Sequence, residues 1–298
     1  MYHNPVLLHE SVEGLNMHPH GTFVDVTFGG GGHSKLILSK LEEGGKLFAF
    51  DQDQDALANV IQDQRFVFIP QNFKYLKNFL LLHGQPQVDG ILADLGVSSH
   101  QFDEASRGFS TRFEGKLDMR MDKNNPLTAA DVVNTYDQQA LTVVFNTYGE
   151  LQNAWRLAQT IIEARNVHPI KLTTDLRNVL AKHLPRGKEN KTLAQLFQAL
   201  RIEVNQEMQA LESFLEQSVQ MLKPGGRLVV ISYHSLEDRL VKNLMKTGNV
   251  KGETSKDFYG NNLSPFILVS RKAVIPTEEE IAMNPRARSA KLRIAEKR

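Results

Sequence analysis

A run of four glycines, Gly29 to Gly32, stands between two aspartates, Asp25 and Asp51, in a chain that later offers Asp94, His234 and Glu237. Glycine is costly to order, so four together mark a place where the backbone turns left-handed or where a ligand comes too close for side chains. The run follows a short β-rich stretch, Thr22 to Val26, and precedes an apolar helical one. That is where a doubly wound fold seats a nucleotide. A dinucleotide fingerprint needs a third glycine, and counting from Gly29 or Gly30 that position falls on Ser34 or Lys35. No Gly-Lys-Ser/Thr ending follows, so the loop is not a P-loop. Asp51 ends the second predicted strand 22 positions after Gly29, close to the ~20 at which an acid accepts hydrogen bonds from ribose hydroxyls. Its competing assignment is a helix N-cap, a place that Asp53 or Asp55 could fill instead. Asp94 ends a fourth strand, at the carboxyl edge where such sheets place their chemistry. His234 follows the fifth strand and so faces the same edge. The acids and histidines show no metal-ligand spacing such as His-Glu-x-x-His, so no metal ligand is assigned.

These residues need a parallel sheet to position them, and the pattern supplies one. "TFVDV" (Thr22 to Val26), "KLFAFD" (Lys46 to Asp51), "FVFIP" (Phe66 to Pro70) and "VDGILAD" (Val88 to Asp94) are apolar runs separated by helical stretches, among them Asp55 to about Ile61. Such alternation predicts an α/β fold whose sheet is covered on both faces. From about Ser110 to Ala199 the strands stop and helical periodicity takes over, as in "AWRLAQTIIEARN", where Trp155 reads as core. Val204, Met208, Leu211, Leu215, Val219 and Leu222 then trace one face of a long helix. "LVVIS" (Leu228 to Ser232) resumes the sheet, and "PFILVSRKAVIP" (Pro265 to Pro276) predicts one or two more strands. The expected organisation is a core in two parts, 1–110 and 200–298, with an inserted helical domain at 111–199 and a basic C-terminal tail.

Net charge is +1, so contact with a polyanion must come from local patches. Two exist: Arg286, Arg288, Lys291, Arg293, Lys297 and Arg298 against Glu296, and Lys182, Arg186, Lys188 and Lys191 against Glu189. The absence of cysteine excludes disulfides, thiolate zinc and cysteine nucleophiles, and fits a cytoplasmic protein. The first residues lack a signal-peptide pattern, and no window approaches the ~18 apolar residues of a membrane span, so no membrane partner is expected.

Asp25, Thr27, Gly29 and Gly31 fit an acid-x-small-x-Gly-x-Gly pattern that resembles motif I of class I S-adenosylmethionine methyltransferases. The resemblance narrows with "NPVLLHE", "TFGGGGHS", "FDQD", "DLGVSSHQFD", "RGFS", "LDMRMD", "FQALRIEVN", "KPGGRLVVISYHSLEDR" and "NPRARSAKLRIAEKR". Together these resemble the bacterial ribosomal RNA small subunit methyltransferase H family, from Asn4 to Arg298 and in family order. The resemblance implies a class I, Rossmann-like methyltransferase sheet with an inserted all-helical, substrate-binding domain. It implies S-adenosylmethionine as cofactor, with contacts at Gly31, Gly32, His33, Asp51, Phe73, Asp94 and Gln101. It implies methylation of the exocyclic amine of one decoding-centre cytosine in 16S rRNA of the small ribosomal subunit. The oligomeric state stays open, a homodimer being one candidate. Two stretches depart from the family pattern: "GELQNAWRLA" (Gly149 to Ala158) and "RGKENKTLAQL" (Arg186 to Leu196).

A cytosine amine is a poor nucleophile, because its lone pair is delocalised into the ring. An acceptor for one of its hydrogens would localise that pair. The Pro-Pro-aromatic motif that many amino-methyltransferases resemble one another in using is absent from "DLGVSS". The candidate acceptors are therefore Asp94, then Asp118 of "LDMRMD", then His234 or Glu237. Asp118 and Arg120 could equally form a structural ion pair. Phe73 reads first as core and second as a face for adenine, and His33 either packs the glycine turn or meets the cofactor's carboxylate. The base must be flipped or already single-stranded to be reached. Two other readings stay open: a methyltransferase of the same fold acting on DNA or another amine, and a non-catalytic RNA-binding protein.

Overall fold

The computed structural model describes residues 5–260 and 263–298, so Asn4, where the first quoted motif begins, lies outside the described residues. The chain divides into two compact units, Met1–Gly96 with Met208–Arg298, and Val97–Glu207. The first half of the sheet unit runs α1 (Leu8–Gly14), β1 (Thr22–Asp25), α2 (Gly32–Lys40), β2 (Lys46–Phe50), β3 (Phe66–Ile69), α3 (Leu76–Leu82) and β4 (Val88–Asp94). The second unit holds α4 (Ser99–Asp103), α5 (Ala129–Thr135), α6 (Gln138–Gly149), α7 (Ala154–Arg165), α8 (Thr173–Leu180) and α9 (Glu189–Asn205). The chain then runs through α10 (Glu207–Met221), β5 (Leu222–Ser232), α11 (Ser235–Thr247), β6 (Phe266–Leu268), α12 (Glu278–Met283) and β7 (Lys291–Lys297).

The strands form one sheet in the order β3-β2-β1-β4-β5-β7-β6. β1 to β5 are parallel, and β7 is antiparallel to both its neighbours. Phe23, Val24, Leu47, Phe48, Ile91 and Leu92 are all buried, so both faces are covered, as continuous apolar strands require. The dinucleotide-binding order has six strands, 3-2-1-4-5-6. Here a reversed strand is slotted between the fifth and sixth. The order reverses between β1 and β4, the switch point outside whose carboxyl ends such sheets bind their ligands.

Several expectations need correction. The C-terminal basic run is not a tail: Leu292 and Ala295 are buried, Lys291–Lys297 folds as β7, and Arg286 and Arg288 lie in a 3-10 helix before it. Lys291 and Arg293 are held by Asp238 of α11, at 3.4 Å and 2.6 Å. The single long helix is two helices, because Gln206 adopts a left-handed φ of 51° between α9 and α10. The helix expected from Asp55 is a 3-10 helix, Gln54–Asn59, capped by Asp53. β5 begins at Leu222, six residues early, with a register shift against β4.

The helical unit has its own core, in which Met119, Leu141, Phe145, Leu157, Ile161, Leu176 and Leu200 are fully buried. Its extent, Val97–Glu207, is wider than the expected 111–199. Trp155 is not core: the buried stripe of α7 is Ala154, Leu157, Ala158 and Ile161, and Trp155 stands off it, 59% exposed. The two stretches that depart from the family pattern meet here, Gln195 Nε2 donating to the Gly149 carbonyl at 3.0 Å.

Candidate functional site at the carboxyl edge of the sheet

Asp25 ends β1 and is 1% exposed. Its carboxylate accepts the Ser34 hydroxyl at 2.7 Å and the Thr27 N–H at 3.1 Å. Burial raises its pKa, against the pull of these hydrogen bonds. The motif I acid therefore ties the first turn of α2 back to β1, and its work is to shape the glycine loop. Gly29 and Gly31 take left-handed φ values of 50° and 75°, which glycine adopts without steric cost. A Cβ on Gly31 would lie 2.9 Å from the Phe28 ring, and one on Gly32 only 2.1 Å from Pro5 Cγ. Those two glycines thus answer to the protein's own packing as well as to anything bound outside it.

His33 is 5% exposed, and its Nε2 lies 3.2 Å from the Val6 carbonyl. A carbonyl only accepts, so Nε2 carries the hydrogen and Nδ1 is left as an acceptor in the neutral ring. Burial lowers the ring's pKa, opposed by the nearby charge of Asp94. His33 therefore pins the segment before α1, the same segment whose Pro5 covers Gly32. Glu280 of α12 holds it again, accepting the Leu7 N–H at 2.7 Å.

Asp51 follows β2. Oδ2 accepts the Gly29 N–H at 2.7 Å, Oδ1 accepts the Asp53 N–H at 2.8 Å, and Asn59 Nδ2 donates to the Gly29 carbonyl at 3.0 Å. Asp53, not Asp51, caps the following helix. Asp51 has its pKa pushed up to about 6, chiefly by burial, with the charges of Asp53 and Asp25 adding to it. Asp94 ends β4. Its N–H donates to Thr27 Oγ1 at 2.6 Å, and Tyr233 donates its hydroxyl to Asp94 Oδ1 at 2.7 Å. Its pKa is likewise pushed up to about 6 by burial, against the pull of His33 and Tyr233 and with help from Asp25 and Glu237.

Beyond β5, Glu237 Oε2 accepts the N–H groups of Tyr233 at 2.8 Å and His234 at 3.3 Å. With His234 Nδ1 taking the Glu237 N–H at 3.4 Å, the pair closes a capping box on α11. His234 Nε2 lies 3.1 Å from Glu237 Oε1, yet it is buried with no aligned hydrogen-bond partner among the described residues. Phe73 starts a short 3-10 turn after β3 and packs edge-on to Phe214 at 5.4 Å.

The remaining candidates belong to the helical unit. Gln101 is buried and completes a capping box with Ser98 at the start of α4. Asp118 is gripped by Arg120, Nε to Oδ1 and Nη2 to Oδ2 both at 2.8 Å. Burial works to raise the pKa of Asp118, but the bonds and charge of Arg120 hold it below the ordinary value. The structure thus favours the ion-pair assignment. Asn59 and Tyr233 were not singled out from sequence, and Thr27 was read only as the small residue of the motif I pattern. Tyr233 stands one residue before His234, where its position after β5 was the available signal.

The sheet unit therefore gathers Asp25, Asp51, Asp94 and Glu237 at one edge, beside an open glycine turn. Asp51 and Asp94 are each stripped of water by burial, with neighbouring carboxylates adding to the rise in pKa. A ligand that brings hydroxyl donors and a positive charge supplies what this edge lacks. The ribose and sulfonium of S-adenosylmethionine fit that description.

Among known proteins, the model of the MraW methylase family matches residues 1–298. Ribosomal RNA small subunit methyltransferase H of Flavobacterium johnsoniae is 62% identical over 296 residues, 99% of this chain and 98% of that one. The protein of the same name from Bacteroides thetaiotaomicron is 59% identical over 297 residues, 100% of this chain and 98% of that one. A solved rRNA methylase from Streptococcus thermophilus aligns with a TM-score of 0.42 at 12% identity, over 98% of this chain and 97% of that one. With a glycine turn and strand-end carboxylates in place, and a match that runs from one end to the other, the chain belongs to the MraW methylase family.

Proposed function

We propose that the chain is an S-adenosylmethionine-dependent methyltransferase that modifies the N4 amine of a decoding-centre cytosine in 16S rRNA, within the small ribosomal subunit in the cytoplasm. The observation that carries the methyl-transfer reading is the pair Asp51 and Asp94, strand-end residues tied to the glycine loop, Asp51 through the Gly29 N–H at 2.7 Å and Asp94 through Thr27 Oγ1 at 2.6 Å. Relatives near 60% identity that bear the name of an rRNA methyltransferase support the substrate. Among the described residues no helix is long and apolar enough to cross a membrane.

The cofactor, when bound, supplies a methyl group already activated on a sulfonium. Asp51 accepts the ribose hydroxyls, and the Gly29–Gly31 backbone lets the ligand approach. Asp94 Oδ1 is occupied by Tyr233, which leaves Oδ2 to accept a hydrogen of the cytosine amine. Methylation of the amine nitrogen by that group would leave a surplus proton, which Asp94 would take up. A carboxyl of pKa about 6 is ionised at neutral pH and still basic enough to take it. His33, Gly32 and Phe73 hold the walls of the sheet edge. His234 and Glu237 fix the turn that carries Tyr233. The decisive experiment incubates the protein with methyl-labelled cofactor and small subunits, naked rRNA or DNA, and maps the labelled base. Label at the N4 of one cytosine in small-subunit rRNA is expected. Label on DNA alone, or on nothing, overturns the proposal.

A further inference from the structure

In the helical unit, α7 begins beside the turn that ends α8. Asn153 Nδ2 reaches the His183 carbonyl at 3.4 Å, and Arg156 Nε reaches His183 Nδ1 at 3.2 Å. Between those two anchors stands Trp155, off the buried stripe of its helix and 59% exposed. His183 opens onto the basic stretch Lys182, Arg186, Lys188 and Lys191, all exposed. Among the described residues none of these four has an ion-pair partner. The one acid in the stretch, Glu189, accepts the Gly187 N–H at 3.0 Å. An indole this exposed contributes little to the core, and a chain of net charge +1 has no general surplus of cations to scatter here.

We propose that Trp155 and the Lys182–Lys191 segment form a contact surface for single-stranded RNA, with a base stacked on the indole and neighbouring phosphates held by Lys182, Arg186 and Lys188. Single-strand binders combine an aromatic platform with a cationic track in this way. The inference rests on the RNA substrate of the proposed function, which it deepens by locating one grip on that RNA.

Trp155 is the only tryptophan in the chain, so its emission reports on this surface alone. The full-length protein is titrated with a short oligouridylate, following tryptophan emission, and in parallel with the dye-labelled oligonucleotide, following anisotropy. Saturable quenching in step with the anisotropy is expected. Trp155→Ala should weaken the anisotropy-read affinity roughly tenfold, and Trp155→Phe, which keeps a ring to stack on, should retain most of it. Replacing Lys182, Arg186 and Lys188 by Gln should flatten the log–log salt dependence by about 2, the share of three single-strand phosphates. Circular dichroism checks that each variant is folded. Anisotropy that rises while the emission stays constant overturns this surface and leaves the RNA reading intact. No binding by either readout, in protein that also fails to label small subunits, removes both. Quenching by RNA-free small-subunit proteins and not by RNA makes this a protein-docking face and overturns the proposal.

Discussion

As the proposed base, Asp94 would have to be charged in a place that disfavours charge, and the conflict has a measurable sign. Its folded pKa is about 6 against an ordinary value of 3.8, with burial the main cause. A carboxyl raised in this way stabilises the fold relative to its ionised form below the unfolded value, and that stability is lost as pH rises through about 6. Asp94→Asn keeps an acceptor for Tyr233 and never ionises. It should therefore stabilise the protein at pH 8, by on the order of 2 kcal/mol, and change little at pH 4. Methyl transfer should fall by roughly a hundredfold or more for want of a base, and the wild-type rate should climb with pH through about 6. Thermal melts at the two pH values check the stability claim, and an equal gain at both would rule out charge as its origin. The strand-end acids were legible from sequence because sheet topology alone puts them at the edge. The tie from Tyr233 and the pin from His33 to Val6 were not, because they join residues far apart in the chain through side-chain directions that no local pattern records.

The glycine turn depends on an element that touches it from outside the β1–α2 unit. Pro5, ahead of α1, lies where a Cβ on Gly32 would sit, 2.1 Å from Cγ. Gly32→Ala should then push the first segment off the turn and strain the His33–Val6 contact, costing roughly 1–3 kcal/mol, the usual penalty of overpacking. Pro5→Ala in the same chain should restore most of that loss, a coupling expected only of residues in contact. Denaturant melts of the two single variants and the double variant measure it, and simple additivity would sink the explanation. The same scale shows what a sequence hides. β1 to β4 were readable because buried parallel strands are continuous apolar runs. β7 was not, because its Lys291 and Arg293 read as part of a basic tail, whereas Asp238 on α11 receives them and lets Leu292 and Ala295 face inward. The break at Gln206 was hidden because apolar spacing of three and four continues from α9 into α10 across a single left-handed residue.

At the scale of the whole molecule, the two units differ in how they depend on chain continuity. The sheet unit is assembled from two separate segments. β4 comes from the first and β5 from the second, and their pairing, Ile91 with Leu228 through Asp94 with Ile231, closes the middle of the sheet. The helical unit is continuous, Val97–Glu207, and its buried cluster runs from Phe109 to Val204 without borrowing from the two clusters that flank the sheet. It also carries its own polar clasp. Asn205 accepts the Met121 N–H and donates to the Met119 carbonyl, both at 2.7 Å, locking the "LDMRMD" loop to the end of α9. A continuous segment of this size, on the order of 100 residues with a private core, meets the conditions for folding alone. Residues 97–207 expressed by themselves should give a helical far-ultraviolet spectrum and one cooperative melt. Residues 1–96 alone should not fold, because β4 would lack β5 and expose a central, apolar strand edge. A disordered helical segment would mean that the inserted unit depends on the sheet despite its separate core, and a cooperatively folded 1–96 would mean that β4 does not need β5.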